Sequence, residues 1–221
     1  MTMTPDVDRL LDRLEALRRQ HSRRVVVGVA GPPGAGKTTL VVDVLAGAAA
    51  RPGLAGRVGH VPMDGFHLSN AELDRLGRRD RKGAPDTFDA RAYAGVLAAV
   101  RDPRRPVVTA PSFDHAVGEP VPDSIAVPTG ADVVVTEGNY LLLGEGDWKA
   151  VPPLLDEVWF CALDDTVRRE RLIARHVDAG REPEDARAWV ARSDEANALL
   201  VTPTAAHADV VLLDGRVVGQ G

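Results

Sequence analysis

The stretch VVVGVAGPPGAGKTT, Val25 to Thr39, decides the fold. Six apolar residues, Val25 to Ala30, read as a buried strand and lead directly into the spacing G-x-x-x-x-G-K-[ST], Gly31 to Thr38. A glycine-rich turn between strand and helix points successive N–H groups inward. The helix that follows adds its positive end, so the turn suits a polyphosphate. Gly31, Gly34, Ala35 and Gly36 form the cradle, and Lys37 is placed to reach the terminal phosphates. Thr38 is placed to ligate Mg²⁺, with Thr39 a neighbouring phosphate donor.

Outward from this loop, four more apolar segments follow: VGHVPM (58–63), VVVT (133–136), EVWFCA (157–162) and DVVLLD (209–214). They alternate with helical patterns over 37–50, 90–101, 166–179 and 183–200. Val-rich runs separated by helices predict an α/β fold with a five-stranded parallel sheet covered on both faces. An amphipathic helix precedes them, with Val7, Leu10, Leu11, Leu14 and Leu17 at helical spacing. The Pro- and Gly-rich stretch 107–130 reads as an irregular or hairpin excursion that shapes a substrate pocket. The basic loop 75–89 either approaches an anionic substrate or stays solvated.

The chain has 221 residues and 44% hydrophobic composition, which suits a single domain spanning 1–221. A formal net charge of −5 argues against a duplex-binding surface, although a local basic site stays open. No apolar run approaches the roughly 20 residues of a membrane span, and no signal pattern opens the chain, so a soluble cytoplasmic protein is expected. The lone Cys161 reads as a buried strand thiol. Lysine occurs only as Lys37, Lys82 and Lys149 among 27 basic residues, so each is a place where a mobile ammonium has been kept over a guanidinium. The oligomeric state stays open, a homodimer included.

Ligands of open α/β sheets gather at the carboxyl ends of strands. Asp64, ending the second segment, and Glu137, ending VVVTEGNY, are therefore expected to face the same crevice as the phosphate loop. Asp64 suits the acceptance of a substrate hydroxyl proton. Gly65 would let the chain turn off the strand, Phe66 would wall a pocket, and His67 and Asn70 would bond to a polar acceptor. In the competing reading Asp64 caps a turn and Phe66 fills core. His21, His60, His176 and His207 read as surface or packing residues.

GPPGAGKTT, MDGFHLSN, GAPDTFD, PSFDH, TEGNYLLL and RLIARH, in this order, resemble the P-loop kinases grouped with uridine kinase, phosphoribulokinase and bacterial pantothenate kinase. The likeness spans roughly residues 24 to 214 and is strongest to a bacterial branch that includes fructose-transport-associated kinases. It implies the P-loop NTPase fold with a small lid at about 164–182, and ATP- and Mg²⁺-dependent transfer to a small molecule's hydroxyl. Asp64 is similar to the family's hydroxyl-activating aspartate, and Glu137 to its acidic residue near Mg²⁺. Asn139, in TEGNY, His115, in PSFDH, and Asn197, in DEANALL, match substrate-pocket positions. DGFH replaces the uridine-kinase DSFY pattern, so substrate identity does not carry over.

In DDTVRRERLIARHVDAG, Arg168, Arg171 and Arg175 share a helix face. The resemblance makes Arg171 and Arg175 a clamp on ATP phosphates; on pattern alone they also read as solvated partners of Asp164, Asp165 or Glu170. Asp164 or Asp165 reads as an N-cap, as does Asp89. Two rival readings compete with this one. A GTPase switch rests on DRLG (74–77), which follows no strand, and the chain carries no N-K-x-D guanine signature. A regulatory nucleotide-binding protein without transfer chemistry would have little use for Asp64 beside Glu137.

Overall fold

The computed structural model describes residues 6–102, 104–105 and 107–220, apart from the side chain of residue 220. The first half comprises α1 (Val7–Gln20), β1 (Val25–Ala30), α2 (Lys37–Ala50), β2 (Val58–Pro62), α3 (Asn70–Arg75), α4 (Ala90–Arg101), β3 (Val108–Asp114) and β4 (Glu119–Val127). The second half comprises β5 (Val133–Gly138), β6 (Glu157–Ala162), α5 (Asp165–Asp178), α6 (Pro183–Trp189), α7 (Glu195–Val201), β7 (Val210–Leu213) and β8 (Arg216–Gln220).

Alternation along β1 sets the layers. Val25, Val27 and Val29 join one core with Leu10, Leu14 of α1 and Leu40, Val44 of α2. Val26 and Ala30 join the other, with Tyr93 and Leu97 of α4 and the rings of Tyr140 and Trp148. A strand apolar on both faces is stable only when both are covered, which is why these runs form a central parallel sheet.

The strand order is β2-β5-β1-β6-β7-β8, parallel except for the last pair. The expected five-stranded, wholly parallel sheet is thus corrected to six strands. Asp214 and Gly215 take φ of 47° and 75°, a tight left-handed turn that folds Arg216–Gln220 back along β7. The excursion at 107–130 is an antiparallel hairpin, β3 against β4, forming its own two-stranded sheet with an irregularity between Ala110 and Ser112. The single helix expected over 183–200 is interrupted by a π-helical turn at Val190–Asp194, which separates α6 from α7.

Asp89 and Asp164 cap α4 and α5 by accepting from Ala92 and from Thr166 and Val167. At the amino ends of the strands, Asp156 accepts from Arg23 at 2.6 and 3.0 Å, from Arg101 at 2.8 Å and from the Val26 N–H at 2.8 Å. Burial pushes its carboxyl up, but these bonds outweigh burial and hold it below its ordinary value. Among the described residues no helix is long and apolar enough to cross a membrane.

Candidate active site

The phosphate loop leaves β1 with Gly31, Gly34 and Gly36 at φ of 148°, 79° and 88°, conformations that favour glycine. At Gly34 a side chain is excluded twice over, because a Cβ would sit 2.7 Å from Leu172 of α5. Helix α5 therefore packs directly on the loop. Ala35 is buried and its N–H turns back to the Pro32 carbonyl at 3.2 Å. Lys37 opens α2 and is also buried, its ammonium donating to the Pro32 carbonyl at 3.0 Å and to Asn139 Oδ1 at 2.7 Å. Burial pushes this ammonium below its ordinary pKa, against the pull of Cys161, Glu137 and Asp64.

Register brings the acidic residues to the same end. Pro62 of β2 stands opposite Glu137 of β5, and Ala30 of β1 stands opposite Gly138. The chain then continues into Asp64, Asn139 and Gly31. Thr38 Oγ1 donates to Glu137 Oε2 at 2.9 Å. Glu137 is only 8% exposed, and burial pushes its carboxyl up, opposed by the Thr38 bond and by Lys37 and reinforced by the charge of Asp64. Asp64 and Glu137 thus lie within each other's field, and both act on Lys37. Cys161, on β6 beside them, is buried as expected, and burial pushes its thiol up to about 12.

Sequence reasoning missed His60. Its Nε2 lies 3.7 Å from Glu137 Oε1 and is buried without a hydrogen-bond partner among the described residues. Burial pushes its pKa down to about 4, so the ring is neutral near pH 7. The alternating, half-buried pattern of β2 shows that His60 has a partner face, but which strand supplies the partner is not legible in a sequence.

Asp64 sits in a 3₁₀ turn, Met63–Phe66. Phe66, read from the sequence as a pocket wall, is 5% exposed and packs edge-on against Tyr93 with centroids 5.0 Å apart. Gly65 has no left-handed φ, so the reason expected for it, a sharp turn, is replaced by another. A Cβ there would collide with the Pro111 carbonyl oxygen of β3. The glycine is the point where the hairpin closes on Asp64.

His67 follows, with Nδ1 2.8 Å from the Asp64 carbonyl oxygen, which assigns the proton to Nδ1 and leaves Nε2 as an acceptor. Its ring lies between Phe88 and Phe113, at centroid distances of 3.9 and 4.6 Å, and burial pushes its pKa down. His115 is exposed near the hairpin tip, 5.1 Å from the Phe113 ring. The 75–89 loop is tied in: Lys82 donates to Asn70 Oδ1 and the Gly118 carbonyl, and its ammonium lies 5.2 Å from the Phe113 centroid. Asn197 donates to the Gly83 carbonyl at 3.3 Å, which also accepts from Tyr140, so Asn197 holds this loop in place.

The three arginines of α5 divide. Arg168 is 1% exposed and bonds to Asp165 and Glu195. Arg171 is half exposed and lies 3.4 Å from Asp214. Arg175 is exposed and makes no ion pair with a described residue, and its charge acts on Lys37. Arg171 and Arg175 line a cavity of about 450 Å³ with Gly34, Gly36, Lys37 and Thr38. Thr39 lies on the same wall.

These features can be set beside known proteins. The profile of the phosphoribulokinase / uridine kinase family matches residues 26–218. A candidate uridine kinase of Schizosaccharomyces pombe is 36% identical over 96% of this chain and 94% of its own length. A pantothenate kinase of Sinorhizobium medicae is 36% identical over 65% of this chain and 44% of its own. The crystal structure of a candidate fructose transport system kinase from a Silicibacter species superposes with a TM-score of 0.74 at 30% identity. That superposition covers 92% of this chain and 95% of the other. The chain belongs to the phosphoribulokinase / uridine kinase family and is an ATP-dependent phosphotransferase that acts on an alcohol group of a small molecule.

Proposed function

We propose that the chain moves the γ-phosphate of ATP to a hydroxyl of a sugar, nucleoside or pantothenate-like alcohol, with Asp64 as the base. The observation that carries this reading is the register that brings Asp64, just after β2, and Glu137, near the end of β5, to the same end of the sheet as the phosphate loop that leaves β1. A carboxylate beside the phosphate loop has a use when a hydroxyl must be deprotonated there. The proton passes to Asp64, the hydroxyl oxygen bonds to the γ-phosphorus, and the bond to the β–γ bridging oxygen breaks, releasing ADP.

The residues present fit both cofactors. Oxygen donors Thr38 and Glu137, 2.9 Å apart, suit a hard cation such as Mg²⁺, which is typically held by one or two carboxylates with substrate phosphates completing the shell. When bound, Mg²⁺ supplies neutralisation of charge on the phosphate oxygens. The loop N–H groups and Lys37 hold the phosphate tail, and Arg171 and Arg175 close over it from α5, balancing charge as the phosphoryl group moves. His67, Phe113 and His115 offer the acceptor one aromatic wall, and Asn139 keeps Lys37 in place until phosphate takes its ammonium.

The test is ATP consumption measured with sugars, nucleosides and pantothenate-like alcohols in turn. One class is expected to stimulate it, with the product carrying the phosphate. ATP binding without stimulation by any of these three classes would overturn the acceptor proposed here and the role of Asp64 as its base.

A further inference from the structure

A second cavity of about 450 Å³ opens at the opposite end of the sheet, where Arg24 precedes β1 and Asp132 precedes β5. Its cationic lining is Arg18, Arg23, Arg24 and Arg105, with the His21 ring beside them. We propose that this cleft binds the dianionic phosphate group of a small metabolite, at a site separate from the ATP phosphates.

Charge accounting supports it. Two carboxylates, Asp102 and Asp132, also line the cleft, but arginines outside it already hold both. Arg104 takes Asp102 at 2.8 and 2.9 Å, and Arg57 takes Asp132 Oδ2 at 2.8 Å, leaving Arg18 at 3.4 Å from the same oxygen. Arg23 is neutralised by Asp156. Among the described residues Arg24 donates only to main-chain oxygens, those of Ala131 at 2.8 Å and Val100 at 3.2 Å. Arg105 makes no ion pair with a described residue. Positive charge is therefore in surplus here, in a chain whose net charge is −5.

A second observation concerns the donors. Arg18 Nε is buried and has no hydrogen-bond partner among the described residues. A buried donor left without a partner is destabilising unless a ligand or water takes it. With Arg24 and Arg105 it makes three cationic groups facing one cleft, and the hydroxyls of Ser22 and Thr129 also line it. A monocarboxylate would neutralise one guanidinium, whereas a phosphate dianion offers oxygens and charge for two or three. The volume falls in the range of small-molecule sites. Strands β1 and β5 run from this cleft directly to Gly31 and Glu137, so the two phosphate sites would lie at opposite ends of the same paired strands.

The test follows arginine Nε–Hε signals by NMR while inorganic phosphate, glucose 6-phosphate, citrate or chloride is added at constant ionic strength. Arg171 and Arg175 report the catalytic end independently. The signals of Arg18, Arg24 and Arg105 are expected to shift saturably with the two phosphates, in the millimolar range or below. Arg105 is exposed and its side chain makes no hydrogen bond or ion pair with a described residue, so Arg105→Ala should fold normally. That variant should weaken phosphate binding at the cleft about tenfold and leave the Arg171 and Arg175 response unchanged. Equal shifts with chloride, an unchanged affinity in Arg105→Ala, or saturation by citrate alone would overturn the proposal.

Discussion

The Thr38 hydroxyl donates to Glu137 Oε2 at 2.9 Å, while the other oxygen, Oε1, faces the neutral ring of His60 at 3.7 Å. One carboxylate is thus addressed from both sides. Glu137→Gln keeps the shape and the acceptor oxygen but removes the charge. The Mg²⁺ concentration for half-maximal turnover should rise about tenfold or more, the scale of one lost charge-assisted contact. Titrating turnover against Mg²⁺ checks this, and an unchanged metal dependence would remove Glu137 from the cation site.

Asp64→Asn should lower phosphoryl transfer about 10²- to 10⁴-fold while leaving ATP affinity nearly intact, because the loss is confined to proton acceptance. Lys37→Ala should impair ATP binding itself, since its buried ammonium is held toward the loop by Pro32 and Asn139. Equilibrium ATP binding beside single-turnover rates separates the two. Normal turnover in Asp64→Asn would refute the assigned role.

Gly65→Ala should displace the β3–β4 hairpin, since the new Cβ meets the Pro111 carbonyl. The cost in stability should be about 1–3 kcal/mol, as for other overpacked sites. KM for the acceptor should rise more than KM for ATP, because the hairpin carries Phe113 and His115 and the loop Gly31 to Thr38 is built on other elements. Thermal melts and paired kinetic titrations decide it; equal changes in both KM values would mean that the hairpin does not shape the acceptor pocket.

The Asp156 carboxyl is held below its ordinary value, so the stability it lends is fully present above its unfolded pKa, about 4. That contribution is lost as pH falls through its lower, folded value. Arg23→Ala removes two of its bonds and should cost about 1–3 kcal/mol near neutrality. Acid unfolding of the variant should begin at higher pH than in the parent chain. Coincident acid transitions would show that Arg23 adds nothing at this junction.

Much of this arrangement is legible in the residue order. The Val-rich strands, the helices Lys37–Ala50 and Ala90–Arg101, and the caps Asp89 and Asp164 lie where local pattern places them. Their signals are short-range: periodicity, a cap residue, a glycine turn. Strand β8 left no such mark, because RVVGQ is a short edge segment whose pairing depends on the turn at Asp214 and Gly215. His60 reads from the sequence as a surface or packing residue because only the register of β2 against β5 brings it to Glu137. Phe66 and Asn197 differ from expectation for a related reason: a sequence tells that an aromatic ring or an amide is present, not which neighbour it meets.

The hairpin that covers Asp64 shares no strand with the central sheet. Lengthening or exchanging it would leave every pairing of the main sheet as it stands. With the acceptor pocket on this hairpin, as proposed, a lineage could change which alcohol it phosphorylates by rewriting some twenty residues, while the machinery that grips ATP is inherited untouched.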